Sequence, residues 1–194
     1  ETNRQLGWVG LEGRLGQVES VADARPVQAE AMASGHYALA LEDQRLWGAT
    51  FEKIEDGVPA ATSAAARATN ADALRQLSPW WQRSATSLPV QSRAAIRATT
   101  ADRLPLVGAV PDYSAALETF SGMRKGRPVD ADAPVLPGIF MVNGFGARGF
   151  TWGPWAGQII AAQLLGGPSP ASVQALEAVS HMRLILRALR RSEI

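Results

Sequence analysis

Cysteine is missing altogether from the 194 residues, and histidine occurs only as His36 and His181. There can thus be no disulfide framework, no thiolate metal site and no cysteine nucleophile, and a multi-histidine metal centre is excluded as well. Redox chemistry, if the chain performs any, has to come from a bound cofactor. Lysine is scarce too: among 19 basic residues only Lys53 and Lys125 are lysines. Arginine offers a planar, bidentate fork to carboxylates and phosphates, although a base-composition bias, which the alanine richness also fits, gives the same skew. No apolar run approaches the roughly 20 residues of a membrane span. The start, "ETNRQLGWVGLEGRLGQ", has no signal-peptide core, so the default reading is a cytoplasmic protein. A first residue other than Met points to a processed or shortened chain.

What is present is the composition of a globular protein: 46% apolar residues and a net charge of +1, enough for one good core or two small ones. "RLGQVESVA" (14–22) alternates like a strand, and "HYALALEDQRLWGATFEKIEDG" predicts two strands joined by the polar "EDQR". The alanine-rich "TSAAARATNADALRQLSPWW" predicts a helix closed by Pro79. "VQSRAAIRATTADRLPLVGAVPDY" reads as strand, polar turn and short strand, and "SAALETFSGM" as a helix before an exposed, proline-bearing loop, 124–137. "GIFMVNGF" has the look of a buried strand, and "GPWAGQIIAAQLLGG" of a helix with Pro154 in its first turn. A single last helix is expected over "SPASVQALEAVSHMRLILRALRR", with Val173, Leu176, Val179, Met182, Leu186 and Leu189 on one face. Strands and helices intermix without regular βα alternation. The expected class is α+β: a mixed, largely antiparallel sheet with helices on one side, plus a C-terminal strand and helices.

Two stretches carry chemistry. In "NGFGARGF", Gly144, Gly146 and Gly149 permit a tight turn and close backbone approach to a ligand. The helix that follows aims unpaired amides, about half a positive charge, back at that turn. An ordinary tight turn uses the same residues. In "AIRATTADRLPLVG" the strand residue Arg97 could present its guanidinium to a carboxylate substrate, or form a surface ion pair, with Asp102 as one partner. Arg183, Arg187, Arg190 and Arg191 crowd the last helical turns, where helix-dipole complementation and nucleic-acid contact are both open.

In order, "AIRATTADRLPLVGAVPDYSAAL", "GIFMVNGFGARGFTWGPWAGQIIAAQLLGGPSP" and "HMRLILRALRR" resemble the carboxy-terminal half of the D-amino-acid-oxidase-like, FAD-dependent oxidoreductases. "GRLGQVESV" and "RLWGATFEK" extend the likeness to that family's substrate domain. Within the family, "RATTADRLPLVGAVPDYSAAL" and "RLILRALRR" are most similar to the oxidoreductase part of bifunctional tRNA-modifying enzymes. The resemblance implies oxidation of a secondary amine that removes the carboxymethyl group from a carboxymethylaminomethyl-uridine in the tRNA wobble position. Glycine- or sarcosine-type oxidation, or a non-catalytic RNA-binding module, are the alternatives.

By the same resemblance, residues 1–137 match the substrate domain and 138–194 the last strand and helices of the FAD-binding domain. Arg97 and Arg148 are expected to read the substrate carboxylate, and Gly144, Gly146, Ala147, Arg148, Gly149, Phe150 and Thr151 to lie against the flavin. Tyr37 is either a pocket residue or a sheet tyrosine anchored by its hydroxyl. Arg187, Arg190 and Arg191 are the candidate RNA contacts, and no general base is nominated, since the cofactor carries the redox step. Upstream of the Gly144 turn there is no companion strand, glycine turn and helix for the adenosine and pyrophosphate of FAD. FAD binding by this stretch alone is therefore expected to be weak or nil. The implied partners are tRNA, the missing FAD-binding half, a methyltransferase domain and, through an exposed apolar strand and helix, a second copy; no membrane is implied. Trp152 and Trp155 are expected to pack against the missing half.

Overall fold

The computed structural model describes residues 7–23, 25, 31–55, 57–79, 81 and 88–194. By contacts the chain forms two compact units, Gly13–Arg97 and, from both ends of the sequence, Glu1–Glu12 with Ala98–Ile194. The boundary expected at 137/138 falls inside a strand of the second unit, because Leu106–Pro111 and Val135–Asn143 pair with each other.

The inner unit is built on a six-stranded sheet. Strands β1 (Glu12–Ala22), β2 (Ala31–Ser34), β3 (His36–Ala40), β4 (Gln44–Gly48) and β5 (Glu52–Lys53) run in the order β2-β3-β4-β1-β5, and β6 (Gln91–Thr99) also pairs with β1. Only half of the polar "EDQR" stretch joins the strands: the chain turns over residues 41–43, and Gln44 and Arg45 already lie in β4, which runs antiparallel to β3 with Tyr37 opposite Gly48 and Ala40 opposite Arg45. Helix α1 (Ala64–Leu77) packs on β2, β3 and β4. Ser63 caps it by accepting the Ala66 N–H at 3.0 Å, and Ser78 closes it just before Pro79. Val21, Ala38, Trp47, Leu74 and Trp81 form its apolar core.

The period of β1 turns polar residues inward as well, since Gln17, Glu19 and Val21 are all buried. Glu19 is fully buried and accepts hydrogen bonds from Gln17 Nε2 at 2.7 Å, Asn70 Nδ2 at 3.3 Å and the Ser92 hydroxyl, with Arg67 Nε at 3.6 Å. Gln17 Oε1 in turn accepts the Ser63 N–H at 2.7 Å, so one network clamps the start of α1 onto β1.

In the outer unit β7 (Leu106–Pro111) and β8 (Val135–Asn143) form an antiparallel pair, with Leu106 opposite Asn143. Helices α2 (Tyr113–Thr119), α3 (Gly149–Leu165), α4 (Val173–Val179) and α5 (Met182–Arg190) complete it. One core gathers Val107, Ala156, Ile159 and Val179; another gathers Ala116, Phe120, Met182, Ile185 and Leu189, with Trp8 stacked on Tyr113 at 5.4 Å.

Three expectations are corrected here. The strand β8 begins at Val135, inside the stretch read as a loop. The helix α3 begins at Gly149, so Pro154 lies within it rather than in its first turn, and the ring removes one backbone donor there. The last helix is two: Ser180 is extended (φ −61°, ψ 143°) and its hydroxyl accepts the Met182 N–H at 3.2 Å, ending α4 and starting α5. Trp155 packs against the Val107 core of its own unit, and Trp152 lies against it at 5.3 Å. Among the described residues no helix is long and apolar enough to cross a membrane.

Candidate functional site

The glycine turn joins β8 to α3. Asn143 Oδ1 accepts the Gly144 N–H at 2.7 Å, and Gly144 and Gly146 adopt φ of 75° and 55°, a left-handed backbone that favours glycine. The Gly146 N–H donates to the Ala98 carbonyl at 2.9 Å, and Phe145 bridges Thr99, so the turn is fixed on the last residues of β6. A Cβ at Gly146 would stand 3.0 Å from the Thr99 methyl, one at Gly144 3.1 Å from the Thr100 methyl. Arg148 is the N-cap residue of α3 and its side chain makes no cap bond. Residues 147–151 are exposed, Phe150 at 102%. The Gly149 and Phe150 amides have no acceptor among the described residues, while the Thr151 N–H is taken by the Arg148 carbonyl at 3.1 Å; the free pair suits an anion or an electron-rich ring edge.

Gly144, Gly146 and Gly149 themselves follow the G-x-G-x-x-G spacing between a strand and a helix, a point the sequence reading passed over. The context differs from that of a dinucleotide grip. A pyrophosphate-binding turn belongs to a βαβ unit in a parallel sheet, whereas β8 pairs antiparallel with β7 and α3 leads into two further helices. The setting is therefore not that of a pyrophosphate grip.

Arg97 lies in the other unit, on β6. It is half-buried; its Nη1 donates to the Thr50 carbonyl at 3.4 Å, and its Cζ lies 6.0 Å from the Phe51 ring centre. Among the described residues no carboxylate pairs with it. Asp102, in the outer unit, is held by Arg183 Nε at 2.9 Å and Arg187 Nη2 at 3.0 Å. Burial opposes the charge on Asp102. Hydrogen bonds from Arg183 and the Leu104 N–H, with a further one at Thr100, overcome it and hold the carboxyl well below its ordinary range. Asp102 is thus a structural tie between the Thr100–Leu104 turn and α5.

Tyr37, on β3, is half-buried, and its hydroxyl has no hydrogen-bond partner among the described residues, so the anchored-tyrosine alternative is not observed. Of the three candidate RNA contacts, Arg187 is drawn to Asp102 and Arg191 Nη1 lies 3.7 Å from Glu193. Arg190 is exposed and without an ion-pair partner among the described residues. With Arg183, these three line a surface cavity of about 510 Å³ that also includes Glu177. Two residues escaped the sequence reading: Phe51, flanked by Arg97 and by Arg14 at 5.8 Å, and Gly16, over which the Arg97 guanidinium lies. A lone glycine inside the alternating "RLGQVESVA" is the signal that could have found the second.

The family model for FAD-dependent oxidoreductases, DAO, matches residues 11–163. The chain belongs to that family. It is 34% identical over 193 residues to the tRNA 5-methylaminomethyl-2-thiouridine biosynthesis bifunctional protein MnmC of Burkholderia multivorans, covering 97% of this chain and 29% of that protein. To the protein of the same name from Cupriavidus necator it is 40% identical over 88 residues, 45% of this chain and 13% of that protein. It thus spans under a third of the length of these relatives. In fold it is similar to the glycine oxidase of Geobacillus kaustophilus (TM-score 0.66, 19% identity, 93% of this chain and 42% of that one). The iminodiacetate oxidase of Chelativorans sp. BNC1 is similar too (TM-score 0.60, 22% identity, 92% and 42%). Class and family agree with the reading of the sequence.

Proposed function

We propose that this chain is the carboxy-terminal part of an FAD-dependent amine oxidoreductase that removes the carboxymethyl group from a carboxymethylaminomethyl-uridine in tRNA. The observation that carries the reading is similarity to the bifunctional tRNA-modifying protein across 97% of the chain. The half-buried Arg97, lacking a carboxylate partner among the described residues, supports it: an N-substituted glycine brings the anion that a guanidinium fork recognises.

The roles follow from the chain's own groups. Arg97 binds the substrate carboxylate, Arg148 is the second guanidinium for it, and Tyr37 contributes to the pocket. The backbone of Gly144, Gly146, Ala147, Arg148 and Gly149, with Phe150 and Thr151, would hold the flavin ring, the α3 amides favouring the negative charge that accompanies reduction. When bound, the flavin supplies a two-electron acceptor for the C–H bond beside the amine. Residues 138–194 then serve the cofactor and 1–137 the substrate, with tRNA as partner through Arg187, Arg190 and Arg191. A methyltransferase domain belongs to the same complete protein.

The test is the complete protein carrying this chain together with its flavin-binding half. A flavin absorbance that bleaches without oxygen on adding tRNA with carboxymethylaminomethyl-uridine, and not on adding the unmodified tRNA, is expected. Bleaching by free glycine or N-methylglycine alone would overturn the tRNA assignment. Arg97→Ala and Arg148→Ala should each raise KM or lower turnover at least tenfold, since a charged hydrogen bond contributes about 1.5 to 3 kcal/mol.

A further inference from the structure

Gly16 sits in the interior of β1, a position where glycine weakens a strand and where its backbone is not in the left-handed region that would require it. Its reason lies in space. A Cβ built on Gly16 would fall 1.6 Å from Arg97 Nη1, 2.4 Å from Cζ and 2.6 Å from Nη2. The Arg97 guanidinium occupies the volume that any other residue at 16 would fill with its side chain. Around that volume the Thr50 carbonyl takes one N–H of Nη1 and the Phe51 ring lies beside the cation. Nε and Nη2 donate to no acceptor among the described residues, and together they form the edge of the fork that meets a carboxylate in bidentate fashion.

We infer that Gly16 is a positioning residue: the empty place it leaves on β1 seats the Arg97 guanidinium with one N–H tied to Thr50 and its Nε–Nη2 edge open to a substrate carboxylate. This rests on the reading of Arg97 as the carboxylate-binding group. Because the obstructing atoms are the far end of a flexible side chain, Gly16→Ala displaces the arginine rather than the strand. The effect on substrate then runs through Arg97 alone.

The experiment is a double-mutant cycle in the complete flavoprotein, with tRNA bearing carboxymethylaminomethyl-uridine as substrate, alongside the Arg97 Nε–Hε resonance assigned by its loss in Arg97→Lys. Gly16→Ala should raise KM at least tenfold with kcat changed less than threefold, and should shift the resonance. In the Arg97→Ala background the same substitution should change KM no further, whereas a merely structural role would add its full effect there. Gly153→Ala, where an added Cβ meets nothing within 4 Å, should move neither readout. An unmoved resonance in Gly16→Ala, or an effect that persists without Arg97, overturns the seat. No effect of Arg97→Ala on either KM or turnover overturns the carboxylate reading instead, and the resonance still decides whether Gly16 holds the side chain.

Discussion

Both units bury a titratable side chain completely, and they treat it in opposite ways. In the inner unit Glu19 is surrounded by donors from β1, α1 and β6, with the Arg67 guanidinium behind them. In the outer unit His181 is equally inaccessible, yet neither ring nitrogen has a hydrogen-bond partner among the described residues. Burial, then the charge of Arg183, push its pKa down to about 4, against a weaker pull from the Ala109 backbone. The first group is answered by three hydrogen-bond donors; the second is left unanswered, and its burial favours the neutral ring. A buried polar group can serve packing either by being fully answered or by staying neutral, and the cost of disturbing it differs accordingly.

The largest effect is expected where donors surround the buried group. Glu19→Ala strips the acceptor from three donors and should destabilise the chain by about 4 kcal/mol, read as a drop in urea midpoint. A loss under about 1 kcal/mol would mean that water replaces the carboxylate and that Glu19 is not the hub. Next is Asp102→Asn, about 3 kcal/mol, because Arg183, only 8% exposed at its side chain, loses its counter-charge. The contribution of Asp102 is intact above the ordinary carboxylate range and is lost as pH falls through its depressed value, so it stays level near neutrality.

His181 should show itself in that level region. Its folded pKa lies below the ordinary 6.5, so the unfolded chain takes up the proton first and stability falls as acid is added. Between about pH 7 and about pH 5 the loss should be about 2 kcal/mol, and His181→Leu should flatten that slope. The same slope in both proteins would show that the ring finds a partner or opens to solvent. Smallest is Arg67→Ala: this cation is 52% exposed and 3.6 Å from Glu19, so its removal should cost about 0.5 kcal/mol. A cost near that of Glu19→Ala would make the pair, not the neutral donors, the stabiliser of the buried carboxylate.

Local pattern carried much of the fold into view. "RLGQVESVA" alternates and lies in β1; Glu42 and Asp43 of "EDQR" turn the chain between β3 and β4; Ser63 and Pro79 bracket α1. The break at Ser180 was hidden by its own regularity, since Val179 and Met182 are both buried on either side of it and the apolar spacing runs on undisturbed. At the candidate site the glycine turn and Arg97 were visible as residue types. Their surroundings were not: which arginine Asp102 would choose, and why residue 16 has no side chain, depend on groups far along the chain. Periodicity reports which face of an element is apolar; it is silent on which distant polar group comes to rest there.

The outer unit is assembled from both ends of the chain, with Gly13–Arg97 inserted between them as one continuous segment. During synthesis the inner unit has all its residues once Arg97 has emerged, and can fold while the rest is still being made. Trp8 must wait for Tyr113, on which it stacks, and for the helix bearing Ile185, so a long loop has to close before its contacts form. Trp8 is expected to be made before its packing partners and to dock only after them.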